Sequence, residues 1–211
     1  DDSSISIGRW SGDASASSVV LSKSRNGTIG NHTVVQANDI LGMVQFQGDD
    51  GTNYHVGADI RAKIVSGVGN DDMPADLIFS TNAGSTGTTE RLRISSDGGV
   101  KLTGHSERSV NALGNTTGST TIDFTTADII TATLTGTTTF ANPTTESVGQ
   151  SGSIILTQDG TGSRTASWGS QFKWVGGTAP TLTTTAAAVD RIDYLVVAAD
   201  TIHAVASLDV K

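Results

Sequence analysis

The chain has 211 residues, with 13 Lys and Arg against 21 Asp and Glu, a formal net charge of −8 and no cysteine. That balance argues against nucleic acid, because phosphate binding needs a dense basic footprint, and the missing thiols exclude disulfides and thiolate metal sites. Aromatics are only 5% of the residues, so two domains of this length would each have a core near the lower limit of self-sufficiency.

No run approaches the roughly 18 apolar residues that cross a bilayer, so membrane insertion is not expected. The start, Asp1-Asp2-Ser3-Ser4, has no basic or apolar signal region. Without an initiator Met the chain reads as a processed product or a piece of a longer one.

Ser4 to Ile7 and Val19 to Ser22 are short apolar runs, read as strands. Gly42 to Gln47 is a longer one, and Asp50-Gly51 after it predicts a hairpin, since a tight primed turn needs positive φ. From Tyr54 to Val65, Val56, Ala58, Ile60, Ala62 and Ile64 alternate with Gly57, Asp59, Arg61 and Lys63. That period of two predicts a strand with one dry and one wet face. The dry side carries no aromatic anchor, so the strand is expected to need further strands, including some from other chains. A turn at Gly67 to Asp72, strands at Asp76 to Ser80, Glu90 to Ile94 and Val100 to Leu102, and a turn at Asp97-Gly98-Gly99 complete a domain over 1–104.

Residues 105–118 lose periodicity and are read as a linker. The domain over 119–211 is rich in Thr, which suits a strand face. Its predicted strands include Thr121 to Phe124, Ile129 to Leu134 and Gly152 to Gln158, the last forming a hairpin through Asp159-Gly160-Thr161-Gly162 with Ser163 to Trp168. Arg191 to Ala198 puts Ile192, Tyr194 and Val196 on one face and is expected to be central, with Thr201 to Asp209 as its partner. Short strands at this spacing predict a two-sheet sandwich or jelly roll.

No catalytic motif is found: Gly-x-Ser-x-Gly and a P-loop are absent, and an enzyme is not expected. No cofactor is expected either. The four histidines lack paired ligand spacing, and the acidic turns at Asp49, Asp50 and Asn53 and at Asn70, Asp71 and Asp72 do not reproduce an EF-hand, so no metal site is assigned. Trp168, Phe172 and Trp174 concentrate the aromatics of the second half. They serve either as a core plug or as a face for stacking on sugars. The candidate contact residues for a surface glycan are Asp159, Thr161 and Arg164 at the turn and Gln171, Lys173 and Trp174 beside the aromatics.

Three stretches of the first half, Leu21 to Gly27, Asp39 to Gly51 and Ala58 to Lys63, resemble a module of bacteriophage tail fibres, with Glu90 to Gly99 as its usual exit. In the second half, Leu156 to Arg164 and Trp174 to Leu182 are similar to the β-structured tip or shaft domains of such fibres. The resemblance implies a homotrimer wound about a common axis, joined to other virion tail proteins and facing a host glycan from an extracellular position. The expected fold is all-β: a short-strand trimerising β domain followed by a β-sandwich or jelly-roll-like domain. Many relatives follow the exit element with a self-cleaving chaperone, whereas this sequence continues into a Thr-rich β domain. An architectural head fibre or capsid decoration protein is the alternative reading, and a secreted bacterial adhesin a third.

Overall fold

A computed structural model describes residues 3–211. The chain divides into two compact units, Asp1–Ser106 and Glu107–Lys211.

The first unit is a five-stranded antiparallel sheet in sequence order: β1 (Ile40–Asp49), β2 (Tyr54–Ile64), β3 (Ala75–Thr81), β4 (Thr89–Ile94) and β5 (Val100–Leu102). The β1–β2 turn forms as the Asp-Gly pair predicts. Asp50 Oδ1 accepts the Thr52 and Asn53 amides, each at 2.8 Å, and Gly51 takes φ 93°. Register aligns Val44, Ile60, Phe79, Leu92 and Leu102 in one cross-strand row and Gly42, Ala62, Leu77, Ile94 and Val100 in the next. Both rows lie on the same face, which a single chain leaves largely bare: Phe46 is 57% exposed, Val100 68% and Leu102 56%. Among the described residues of this unit only Val35, Ile64 and Ile78 are buried apolar side chains.

The opposite face differs from the sequence expectation. Asp59, assigned to the wet side of β2, is 3% exposed, because its own neighbours cover it. Arg61 Nε lies 3.1 Å from Asp59 Oδ1, and Thr88 Oγ1 donates to Asp59 Oδ2 at 2.5 Å. Beside them Arg93 joins buried Asp76 at 2.6 Å and also pairs with Glu90, whose carboxyl the guanidinium holds below its ordinary range. The guanidiniums of Arg61 and Arg93 thus neutralise the buried acids of this face.

The second unit holds β6 (Val110–Thr120), β7 (Ile129–Phe140), β8 (Ser151–Gln158), β9 (Ala166–Trp168), β10 (Phe172–Trp174), β11 (Val189–Ala198) and β12 (Thr201–Ser207). Their order is β10-β12-β11-β8-β7-β6, with β9 also paired to β7. β6, β7 and β8 run parallel, and β11 runs antiparallel to β8 and β12. Parallel strands ordinarily require helices to cover the sheet. Here the 121–128 crossover does this instead, burying Ile122, Phe124 and Ala127.

The sandwich-like packing comes from bending. Ile129–Leu134 of β7 pairs with β8, while Thr138–Phe140 pairs with β9. β6 follows the bend through irregularities at Gly114 and Gly118, both at φ 70°, a conformation glycine adopts without steric cost. Ile130, Ala132, Leu134, Ile154, Leu156, Ile192, Tyr194, Val196 and Ile202 fill the enclosed face. Tyr194 stacks edge-on against Phe124 at 4.8 Å.

Burial pushes the Tyr194 phenol up to about 12. A raised folded-state value contributes stability that is complete below the unfolded tyrosine's ordinary 10 and is lost as pH rises through 12. Alkaline titration followed by circular dichroism is therefore expected to show the second unit losing on the order of 2–3 kcal/mol across that window. In Tyr194→Phe this loss should be absent; an unchanged profile would show that the phenol does not control it.

Several expected elements differ. The apolar runs at Ser4 to Ile7 and Val19 to Ser22 form no strand: among the described residues their backbones make no hydrogen bonds that would build a ladder. The structural division falls at Ser106/Glu107, and most of the expected 105–118 linker lies in strand β6, which runs on to Thr120. Its two glycines and many small polar residues hide the alternation. The expected 152–168 hairpin does not form either: both edges of β8 are taken, by β7 and β11, so β9 pairs with β7. β11 is central with β12 beside it, as the alternation predicts.

Candidate functional site

Phe140, Phe172 and Trp174 converge on Trp168. Its ring stacks on Phe140 at 4.7 Å and meets Phe172 and Trp174 edge-on, each at 5.0 Å. Phe172 is buried, while Trp168 and Trp174 are half-buried and pack against the core. The cluster is thus both plug and surface, with Trp174 on its outer side.

β10 lies parallel to β12 in the register Phe172↔Ile202, Lys173↔His203 and Trp174↔Ala204. Trp174, Val175, Ala204 and Val205 are shared by two shallow grooves. One, of about 330 Å³, continues to Thr178 and Pro180; the other, of about 300 Å³, continues to Lys173 and His203. The Gly176-Gly177 turn, with φ 68° and 77°, follows Val175, which is 80% exposed.

Gln171 and Lys173 brace this edge. The Gln171 amide nitrogen donates to Asp200 Oδ1, its backbone N–H donates to Asn142 Oδ1 at 2.9 Å, and Lys173 Nζ donates to the Ser170 carbonyl at 2.6 Å. Lys173 is itself exposed, so its ammonium also meets solvent.

Asp159, Thr161 and Arg164 form a separate group. Arg164 Nη2 donates to Asp159 Oδ2 at 2.8 Å, and Asp159 Oδ1 accepts the Thr161 and Gly162 amides at 3.0 and 2.9 Å. The guanidinium, seconded by those amides, holds the Asp159 carboxyl below its ordinary range. Buried Gln158 completes the loop by bonding both the Arg164 N–H and its carbonyl at 2.9 Å. Asp159 and Arg164 therefore shape the loop, and Thr161 is exposed at its tip. Among the described residues no hydrogen bond, ion pair or ring contact joins this group to Gln171, Lys173 or Trp174.

Sequence reasoning missed His203, Val205 and Pro180 beside Trp174. The alternation of Thr201 to Ser207 shows which residues face outward, but the parallel pairing with β10 leaves no local mark.

Residues 115–197 match the family described as "Putative phage tail fibre C-terminal domain". The second unit carries a phage tail fibre domain. The match begins in β6 and ends in β11, so it takes in the aromatic cluster and the 159–164 loop. A tail fibre domain places the chain on the virion. No curated protein gives a significant match to the chain.

Proposed function

We propose that the chain is a structural and adhesive subunit of the tail fibre, acting as a homotrimer that attaches the virion to the host surface. The observation that carries this reading is the bare apolar face of the first sheet. Five strands with one uncovered apolar side and three buried apolar residues make a poor core alone, whereas strands from identical copies would dry that face. Its small residues, Ala58 and Ala62, suit close approach around a three-fold axis.

Attachment belongs to the exposed edge of the second unit. Trp174 offers an aromatic wall for a sugar ring, with Lys173 and Gln171 beside it, and Thr161 is the exposed contact of the loop that Asp159 and Arg164 hold. One such site, at a dissociation constant of about 1 mM, contributes only about −4 kcal/mol, and linked sites raise avidity by roughly 10² to 10⁴. Three chains of −8 each carry −24, which disfavours unspecific adhesion to an anionic envelope and leaves selectivity to fitted contacts.

Light scattering should give three times 21.6 kDa, and Trp174→Ala should keep that mass while lowering retention on immobilised host surface polysaccharide at least tenfold. A stable monomer would remove the trimer, and undiminished retention would remove Trp174 from the contact.

A further inference from the structure

The first unit displays an apolar knob and an apolar hole that do not meet within one chain. Trp10 is 93% exposed, yet it stands on a braced loop. Ser17 Oγ donates to the Ile7 carbonyl at 3.1 Å, and Arg9 pairs with Asp13 at 3.0 Å. Asp13 in turn accepts the Ser15 amide at 2.9 Å. The indole lies so close over Gly8 that a Cβ there would fall 2.8 Å from the ring. A large aromatic face is thus held out into water by a short network that fixes the loop around it.

The hole lies at the β1 side of the bare sheet face. Leu21 sits over Gly42, where a Cβ would come within 2.5 Å of the Leu21 Cβ, so glycine makes room for it. Beside this leucine is a groove of about 320 Å³, lined by Val19, Leu21, Val44, Ile60, Ala62 and Leu77 among others. An indole is of a size and polarity to fill it.

We propose that the Trp10 loop of one copy fills this groove in the next copy. The proposal rests on the self-association argued above and names its contact. Copies that each carry −8 repel at long range, so the contact that joins them has to be apolar, and these are complementary apolar features of a single chain. Knob and hole are different surfaces, so the contact is heterologous and repeats from copy to copy until a ring closes.

The chain has no cysteine, which permits a clean cross-linking test. A tagged chain carrying Gly12→Cys, a position with open space around it, is co-expressed with an untagged chain carrying Leu77→Cys and treated with a short bis-maleimide. The expected result is a tagged–untagged adduct on a denaturing gel, abolished when Trp10→Ala is added to the tagged chain. Trp10→Ala in the otherwise unaltered protein should weaken self-association by roughly 30-fold, as for a central interface tryptophan. A trimeric mass without the adduct overturns the Trp10 contact and leaves the trimer standing. A monomeric mass overturns both. An adduct that survives Trp10→Ala, or a link within one chain carrying both cysteines in place of one between chains, also overturns the contact.

Discussion

Gly152→Ala is expected to destabilise the second unit by about 3 kcal/mol or more, at the upper end of what overpacking does. A Cβ at this position would lie 1.8 Å from the Asp128 carbonyl oxygen and 2.7 Å from the Tyr194 hydroxyl. The obstruction is backbone, so rotation of a side chain does not relieve it. Asp128 ends the crossover that carries Phe124 and Ala127 onto the core, and its carbonyl also accepts the Ser153 amide at 2.9 Å. Moving it loosens the cover over the parallel strands. For a domain of this size the expected fall in Tm is roughly 10–20 °C. Gly160→Ala, where a Cβ would meet nothing within 4 Å, should stay within about 0.5 kcal/mol of the parent. Calorimetry of the two variants checks the argument, and a Gly152→Ala melting point within a degree or two of the parent would refute it.

Asp190→Ala should be nearly as damaging, by a different route. The Asp190 side chain is buried at 2% exposure, and its oxygens accept the Thr183 N–H at 2.7 Å, the Thr183 hydroxyl at 2.8 Å and the Asp209 N–H at 2.8 Å. It therefore ties the segment before β11 and the segment after β12 to the central strand. Removing it leaves three donors without their acceptor, and an unsatisfied buried group costs about 1–3 kcal/mol. Water entering from the exposed C-terminal side relieves part of this, so a net loss of about 3 kcal/mol is expected, read as a lower urea midpoint with an unchanged slope. Faster amide exchange at Thr183 and Asp209 should accompany it. An unchanged midpoint would show that those segments hold without the carboxylate.

What the sequence made legible was local. Ile192, Tyr194 and Val196 alternate because one face of β11 is dry, and Asp50-Gly51 turns because glycine accepts positive φ; both are interactions among neighbours. The parallel contacts of β6 with β7 and of β10 with β12 join residues far apart in sequence, and no turn residue announces them. The 159–162 turn shows the same limit. Its Asp and Gly report that the chain changes direction, but only the occupied edges of β8 explain why no hairpin follows. The alternation of β2 puts Asp59 on the wet face, yet it is buried because Arg61 and Thr88 supply the partners that alternation does not reveal. Of the candidate site, the aromatic concentration around Trp174 was legible, whereas His203 and Val205 reach it only through strand register.

Among the described residues, the fifteen that form the main core run from Ile122 to Ala204. That interior is drawn from one continuous stretch, so the segment from Glu107 onward should behave as a portable cassette: grafted behind another protein, it is expected to fold on its own packing.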